Sequence, residues 1–246
     1  MPHFYVNPSN IRNNLFTMDA QQAHYVYTVR RFSSGDNIMI FDGLGNSYSA
    51  EITKVSKDYI EGRIISSSYK MPDFTVNLYT AIPKGDRYEW LIEKAGELGV
   101  AAIMPINTKR SINTSFSESK LERYEKISVA ASSQCGRNDI MKIYEPADFE
   151  KACCSAAAKP DFINILPWES EESKASVGTA LKSAGKPAGV DIFIGPEGGF
   201  ENKEVEFAKN LGIRPVTLGN NILRVETAAI VAGVLVFNSL YEYGDK

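Results

Sequence analysis

A glycine-rich segment lies between a predicted strand and a predicted helix. It reads Gly195-Pro196-Glu197-Gly198-Gly199-Phe200, with three glycines in six residues. Because glycine adopts positive φ and lets other groups approach its backbone closely, this segment could hold a ligand. A tight turn between strand and helix explains the same glycines equally well. The segment does not match G-x-G-x-x-G and no Walker lysine follows it, which argues against a dinucleotide or nucleoside triphosphate site.

A second segment with reactive side chains also joins a predicted strand to a predicted helix. It spans residues 218–229 and reads LGNNILRVETAA. Thr227 could cap the final helix, and Glu226 would then lie favourably near the positive end of the helix dipole. That structural interpretation accounts for Glu226 and Thr227, but it does not account for Gly219 and Arg224 in the same loop.

Two further segments carry basic side chains near predicted helix ends. Lys84 and Arg87 could contact phosphates, although Asp86 between them could simply be a helix N-cap. In the segment SQCGRN, which starts at Ser133, Gly136 could end a helix whose dipole Arg137 complements. On chemistry alone we favour that structural interpretation over a site for an anionic partner.

An alternation of strands and helices would position these segments. Strands are predicted at 75–82, 100–106, 162–166, 190–194 and 215–218, and helices at 88–98, 118–135, 173–184, 202–211 and 227–243. Such an alternation predicts an α/β domain with a mostly parallel sheet that is covered on both faces. Ligands of such sheets bind beyond the carboxyl ends of the strands, where both glycine-containing segments lie.

The first 70 residues have a different pattern. Short strands at 36–43, 46–52 and 59–65 follow a predicted helix at 20–32, and their close spacing suggests a small β-barrel. Residues 66–73 are polar and small and include a proline, which is typical of a linker. The sequence therefore predicts an N-terminal β-barrel domain at residues 1–72 and an α/β domain at residues 73–246.

The composition excludes several classes of protein. The 246 residues are 43% hydrophobic and 23% charged, which argues against intrinsic disorder. No apolar run reaches the roughly 18 residues of a membrane span, and no secretory pattern opens the chain, so we expect a cytoplasmic protein without a membrane partner. The three cysteines form no C-x-x-C pair, and the two histidines, His3 and His24, lie near the N-terminus, so we expect neither a disulfide framework nor a bound metal.

The charge is unevenly distributed. The chain has 27 Lys+Arg and 30 Asp+Glu, a net charge of -3, which as an average argues against a nucleic-acid-binding protein. However, residues 1–70 carry seven basic and six acidic side chains, and residues 105–143 carry seven basic and four acidic ones. RNA binding would therefore depend on a confined basic track, with few phosphate contacts and a modest dependence on salt.

Five motifs in a fixed order make a more specific identification. They are HYV at 24–26 with VRR at 29–31 and GD at 35–36, KGDRYEWLIEKAGELGV at 84–100, SQCGRN at 133–138, GPEGGF at 195–200, and LGNNILRVETAA at 218–229. Together they resemble the ribosomal RNA small-subunit methyltransferase E family of the SPOUT superfamily, over essentially the full chain. The resemblance implies a homodimeric enzyme that uses S-adenosylmethionine (SAM) to methylate N3 of one uridine in 16S ribosomal RNA, either free or in the assembled small subunit. It also implies an N-terminal PUA-like RNA-binding β-barrel and a methyltransferase domain with a deep trefoil knot.

The same resemblance assigns a SAM site to three segments. The glycine-rich segment would form one wall, the segment at 218–229 another, and the end of an earlier strand a third edge. The implied SAM-binding residues are Leu166, Pro167, Ile194, Gly195, Glu197, Gly198, Gly199, Leu218, Gly219, Ile222, Leu223, Thr227 and Ala228. Leucine and isoleucine flanked by glycine suit an apolar slot for adenine with backbone hydrogen bonds around it.

Catalytic and RNA-binding residues follow from the same motifs. Arg224 is the candidate for stabilising negative charge on the uracil oxygens, and Glu226 is a candidate base that could equally be a helix-capping residue. The expected RNA contacts are Arg12, His24, Arg30, Arg31, Lys84, Arg87, Arg110 and Arg137. Without the resemblance, the Arg30–Arg31 pair would be interpreted as a solvated surface.

Two alternative functions stay open from the sequence. The protein could be a SPOUT methyltransferase that acts on another RNA such as transfer RNA, or a catalytically silent RNA-binding or ribosome-assembly protein. The resemblance of the N-terminal domain argues against the first, and the glycine segments with Arg224 argue against the second. The last helix is apolar on nearly all sides at 228–240, which suits burial in a core or in a dimer interface.

Overall fold

The computed structural model describes residues 3–111, 116–169, 175–182 and 187–244. The chain divides into two compact units, one that extends to Pro72 and also includes Val129–Ile140, and one that includes Asp73–Ser128 and the chain from Met141 onward. The predicted domains, 1–72 and 73–246, therefore differ from these units at Val129–Ile140. The backbone N–H of Gly45 donates to the carbonyl of Asn138 at 3.0 Å. No local sequence pattern predicts this pairing.

The first unit is built on one six-stranded sheet with the order β1-β4-β5-β6-β3-β2. Its strands are β1 (His3–Tyr5), β2 (Ile11–Arg12), β3 (Leu15–Met18), β4 (Asn37–Phe41), β5 (Asn46–Val55) and β6 (Ile60–Tyr69). Helix α1 (Ala20–His24) continues directly into a π-helical turn, Tyr25–Val29, so the predicted helix at 20–32 ends early. Alternating buried side chains of the sheet, including Phe16, Ile38 and Ile40, form the core of this unit.

The prediction of a linker at 66–73 is wrong for Ser66–Tyr69, which belong to a strand. Ser66–Tyr69 extend β6 because they pair with β5, and the hydroxyls of Ser47 and Ser68 lie 2.9 Å apart across the two strands. Small polar residues thus continue a strand here, since the neighbouring strand satisfies their backbone groups. The three strands before α1 were not predicted because each is at most four residues long.

The second unit contains a parallel sheet. Its strands are β7 (Thr75–Thr80), β8 (Ala102–Asn107), β9 (Lys142–Ile143), β10 (Ala147–Asp148), β11 (Phe162–Pro167), β12 (Gly189–Ile194) and β13 (Arg214–Val216). The order is β10-β8-β7-β12-β11-β13, with β9 paired to β8, and every described pairing is parallel. Its helices are α2 (Arg87–Leu98), α3 (Glu118–Cys135), whose last residues belong to the first unit, α4 (Phe149–Ala157), α5 (Val177–Lys182), α6 (Asn202–Asn210) and α7 (Val225–Gly244).

Helices cover both faces of this sheet, as the sequence predicts. Leu78 and Ile192 belong to a core shared with α2, α5 and α7, whereas Tyr79 and Phe193 belong to a second core shared with α4 and α6. Adjacent residues of one strand thus point to opposite layers. Helix α4 was not predicted, and residues 173–174 and 183–184 of the predicted helix around α5 lie outside the described residues. In the described part of the chain, no helix is long and apolar enough to cross a membrane.

Candidate functional site

Three strand ends lie side by side at one edge of the parallel sheet. Strand β11 lies between β12 and β13, with Ile165 paired to Ile192 and Pro167 paired to Val216. The loops that leave β12 and β13 therefore start beside Pro167. We call residues 195–201 the first glycine loop and residues 217–224 the second glycine loop. The sheet thus brings together the three segments to which the sequence assigns a ligand site.

The end of β7 lies at the same edge. Thr80 pairs with Ile194, and the backbone N–H of Ala81 donates to the carbonyl of Ile194 at 2.9 Å. The segment from β7 to α2, which carries Lys84 and Arg87, therefore begins next to the first glycine loop. Asp86 occupies the N-cap position of α2, but its side chain makes no capping hydrogen bond. The predicted capping role of that side chain is therefore wrong.

The first glycine loop uses its glycines in different ways. Gly199 has a φ of 68°, and its N–H closes a turn on the carbonyl of Pro196 at 2.8 Å. A Cβ atom at Gly195 would lie 3.0 Å from the ring of Phe200. The turn therefore favours glycine at position 199, whereas a side chain at position 195 would have to displace the Phe200 ring slightly. Gly198 has no positive φ, and a Cβ there would meet Arg110 at an ordinary 3.4 Å.

The second glycine loop leaves open space beside its backbone. Gly219 has a φ of 117°, and no atom lies within 4 Å of the position that a Cβ atom would take. The hydroxyl of Thr217 accepts a hydrogen bond from the Gly219 N–H at 3.1 Å and so fixes the turn. Ile222 is 85% exposed, although isoleucine is usually buried. An exposed apolar side chain next to an open glycine backbone suits a bound ligand with an aromatic part.

Helix α7 starts earlier than the sequence predicts. Its first residue is Val225, and the N–H of Ala228 donates to the carbonyl of Arg224 at 2.8 Å. Thr227 therefore lies inside the first turn, and its predicted role as the helix cap is wrong. Glu226 does lie in the first turn, where the helix dipole favours a carboxylate.

Arg87, Glu197 and Glu226 form a charge cluster at this edge. The Nη1 atom of Arg87 lies 3.8 Å from Oε1 of Glu197, and its Nε atom lies 3.9 Å from Oε1 of Glu226. The Glu226 side chain is only 12% exposed, and its Oε2 atom is buried with no hydrogen-bond partner among the described residues. A buried carboxylate oxygen without a donor is rare, so this atom is available to a ligand.

Two further predicted site residues, Arg224 and Arg110, differ in their surroundings. Arg224 is exposed, and within the described residues its guanidinium has no ion pair. Arg110, expected to contact RNA, donates from Nη1 to the carbonyl of Gly198 at 2.7 Å and lies 3.9 Å from Glu201 through Nε. Arg110 therefore braces the first glycine loop.

One supporting residue of this loop was not predicted. The carboxylate of Glu204 is buried, and it accepts from the N–H of Lys109 and from the N–H of Glu201, both at 2.9 Å. It thereby joins the chain after β8 to the first glycine loop. The spacing of Glu201 and Glu204, three residues apart at a helix start, is a capping signal that could have identified it.

The other basic residues expected to contact RNA lie in several places. In the first unit Arg12, His24, Arg30 and Arg31 are exposed, with the Arg30 guanidinium 5.7 Å from the ring centroid of Tyr25. In the second unit, an open depression is lined by Lys84, Gly85, Asp86, Arg87 and Trp90. Arg137, in contrast, is 11% exposed and bonds to Asp139 at 2.6 Å.

Within the described residues, no group of three or more metal-ligating side chains occurs.

Comparison with known proteins identifies the family. The RNA methyltransferase domain family matches residues 70–236, and the RNA methyltransferase PUA domain family matches residues 19–65. The chain is 31% identical to the ribosomal RNA small subunit methyltransferase E of Synechocystis, over 96% of this chain and 77% of that protein. It is 29% identical to the protein of the same name from Bacillus subtilis, over 88% of this chain and 87% of that protein.

A solved structure is similar over the whole chain. The ribosomal RNA small subunit methyltransferase E from Neisseria gonorrhoeae, bound to S-adenosyl methionine, superposes with a TM-score of 0.84 and 27% identity. The match covers 97% of each chain. With two family matches in sequence order and relatives of that name matched over most of both chains, the chain belongs to the ribosomal RNA small subunit methyltransferase E family.

Proposed function

We propose that this protein transfers a methyl group from SAM to N3 of one uridine in the 16S ribosomal RNA of the small subunit. One observation carries the proposal. Pro167 and the two glycine loops start at one edge of the parallel sheet, in a chain of this family. Ligand sites of parallel sheets form at such edges.

The residues at this edge fit SAM. The open space beside Gly219 and the exposed side chain of Ile222 suit a ligand with an aromatic part. The proposed SAM-binding residues are Leu166, Pro167, Ile194, Gly195, Glu197, Gly198, Gly199, Leu218, Gly219, Ile222, Leu223, Thr227 and Ala228. When bound, SAM supplies an electrophilic methyl group on a positively charged sulfur.

The chain's own residues must deal with the proton on uracil N3. This nitrogen is protonated at neutral pH, so methylation needs a base or stabilisation of the uracil anion. We assign Arg224 to the uracil oxygens because its exposed guanidinium has no ion pair within the described residues. Glu226 is the candidate acceptor for the N3 proton through Oε2. Its position in the first turn of α7 also stabilises the helix, and both roles are compatible.

RNA would be held by exposed basic residues of both units. We propose that Arg12, His24, Arg30 and Arg31 contact RNA in the first unit, and that Lys84 does so in the second. Arg110 and Arg137 stay candidate RNA contacts, but Arg110 is bound to the carbonyl of Gly198 and Arg137 to Asp139, so each has less freedom to reach a phosphate. Because the proposed substrate is ribosomal RNA, we also propose that the protein acts in the cytoplasm.

A homodimer and a knotted chain complete the proposal. Val234, Leu235 and Tyr241 of α7 are exposed, and such a row of apolar side chains fits a second copy of the chain. Light scattering at micromolar concentration should give twice the mass of one chain, and a strict monomer would contradict the dimer. The trefoil knot stays a prediction from the family.

The activity is tested with purified protein, labelled SAM and 16S ribosomal RNA, either free or in small subunits, from a strain that lacks the enzyme. Mass mapping should locate one N3-methyluridine. Arg224→Met should lower the rate by at least about a hundredfold with unchanged SAM affinity, because removal of an anion-stabilising group costs that much. Arg123→Met is a matched control, since it removes an exposed ion pair with Glu89 outside the site.

Three results would contradict the proposal, each in a different way. Methylation of transfer RNA alone would indicate another substrate. RNA binding without any methyl transfer would indicate a silent protein. Calorimetry that detects no SAM binding at millimolar concentration, with or without RNA, would exclude the cofactor.

A further inference from the structure

Arg87 lies between two carboxylates that belong to different parts of the proposed site. Glu197 is in the first glycine loop, and Glu226 is in the first turn of α7. Arg87 faces the two carboxylates with different nitrogens of its guanidinium, and the two distances, 3.8 Å to Glu197 and 3.9 Å to Glu226, are nearly equal. A single side chain at the start of α2 thus connects both segments.

This arrangement differs from an ordinary surface ion pair. Exposed pairs contribute little to stability because water screens them. Glu226, however, is almost fully buried and has an oxygen without a donor, so its position depends on few contacts. Without the guanidinium, two carboxylates would face the same space and repel each other. Arg87 therefore holds Glu226 and Glu197 together at the sheet edge.

A direct contact between Arg87 and an RNA phosphate fits the structure less well. One guanidinium between two carboxylates gives the cluster a net negative charge, which disfavours an approaching phosphate. Lys84, three residues earlier and exposed, has no such acidic neighbours among the described ion pairs and is the better phosphate contact.

We infer that Arg87 is a positioning residue for methyl transfer, which acts by holding the carboxylates of Glu226 and Glu197 in place. The inference rests on the proposed function, since Glu226 must serve the reaction for its position to matter. A guanidinium is required because its Nε and Nη1 atoms face the two carboxylates at once. A lysine ammonium is a point charge that pairs with one of them at a time.

The test is a double-mutant cycle between Arg87→Met and Glu226→Gln. Single-turnover methylation is measured at saturating SAM and RNA, and RNA affinity is measured at two salt concentrations. Arg87→Met should lower the saturated rate by about tenfold or more, with RNA affinity and its salt dependence changed by less than about twofold. In the Glu226→Gln background the same change should have almost no effect, because the two residues act as one unit. Arg87→Lys should recover part of the rate, and Arg123→Met should leave it unchanged.

Two results would overturn the inference while leaving the proposed function intact. One is a loss of RNA affinity and salt dependence in Arg87→Met with a normal saturated rate, which indicates a phosphate contact. The other is a fully additive cycle, which indicates independent roles. A wild-type protein that methylates no RNA would instead contradict the proposed function. Unfolding midpoints are measured for every variant, and if Arg87→Met does not fold, Arg87→Gln takes its place in the cycle.

Discussion

The guanidinium of Arg110 donates a hydrogen bond of 2.7 Å to the carbonyl oxygen of Gly198, a residue 88 positions later in the chain. Its Nε atom also lies 3.9 Å from the carboxylate of Glu201. Both contacts fall on the first glycine loop. Arg110 therefore fixes the shape of a loop that we assign to SAM, whatever it also contributes to RNA binding.

Replacement of Arg110 by alanine should weaken SAM binding in the absence of RNA. The bond has a charged donor, but the side chain is half exposed, so we expect a loss of about 1 kcal/mol, or about fivefold in affinity. Calorimetry with SAM alone measures this, with Arg123→Ala as the control. An unchanged SAM affinity together with weaker RNA binding would show that Arg110 is only an RNA contact.

The adjacent glycines of the first loop should respond differently to alanine. At Gly199 the φ of 68° is unfavourable for alanine, and its Cβ would lie 2.7 Å from an oxygen of Glu169. We expect Gly199→Ala to lower the free energy of unfolding by about 1–2 kcal/mol. At Gly198 the backbone suits any residue, so Gly198→Ala should cost less than about 0.5 kcal/mol. Urea denaturation measures the free energy of unfolding of both variants. Equal losses in Gly198→Ala and Gly199→Ala would contradict the different roles assigned to the two glycines.

A large side chain at Gly198 should separate catalysis from RNA binding. Gly198→Leu would push against the Arg110 side chain, whose atoms lie 3.4 Å from the Cβ position, and would fill the proposed SAM wall. We expect methylation to be abolished, with RNA affinity within about twofold of wild type. If methylation survives, the assignment of the first glycine loop to SAM is wrong.

The three cysteines should differ in reactivity. Cys153 is fully buried, and burial raises the pKa of its thiol to about 12, whereas Cys135 and Cys154 are exposed. Since the thiolate is the reactive form, Cys153 should be inert near pH 8. Titration with a thiol reagent should modify two cysteines in the native protein and three after denaturation. In the native Cys153→Ser variant, the number of modified cysteines should still be two.

The ion pair between Lys159 and the buried carboxylate of Asp191 should contribute strongly to stability at neutral pH. Lys159 Nζ lies 2.7 Å from a carboxylate oxygen of Asp191, which is fully buried, and Asn77 donates to the other oxygen at 2.7 Å. Lys159→Met would remove the counter-charge and should cost about 3 kcal/mol at pH 7. Unfolding in urea measures this loss, and a loss below about 1 kcal/mol would contradict the role of the pair.

The pH dependence of that pair has a definite sign. Burial lowers the pKa of Lys159, but the hydrogen bond and charge of Asp191 outweigh it, so the folded-state pKa lies above the ordinary 10.5. The contribution to stability is therefore complete below about pH 10.5 and is lost as the pH rises through the higher folded-state value. The stability difference between wild type and Lys159→Met should shrink above that pH.

Local sequence patterns by themselves determine much of this protein. Tyr88, Leu91, Ile92 and Ala95 recur at helical spacing and are all buried in α2, and Gly99 caps the end of this helix with a φ of 107°. The alternation of strands and helices from residue 75 identifies the parallel sheet. The glycine segments follow β12 and β13 as predicted. These features are predictable because hydrophobic periodicity and the positions of turn-forming glycines are properties of short stretches of chain.

Tertiary structure decides which side chains meet. The sequence does not distinguish the partners of three arginines. Arg87 lies between Glu197 and Glu226, Arg110 bonds to the carbonyl of Gly198, and Arg137 pairs with Asp139. The contacts of Arg87 and Arg110 depend on strand order and register. Neither of these is encoded within one local segment of the sequence. For the same reason the sequence pattern places Val129–Ile140 in the second domain, although its backbone pairs with residues near Gly45. The residue types for the chemistry are thus set locally, whereas their roles depend on contacts between distant parts of the chain.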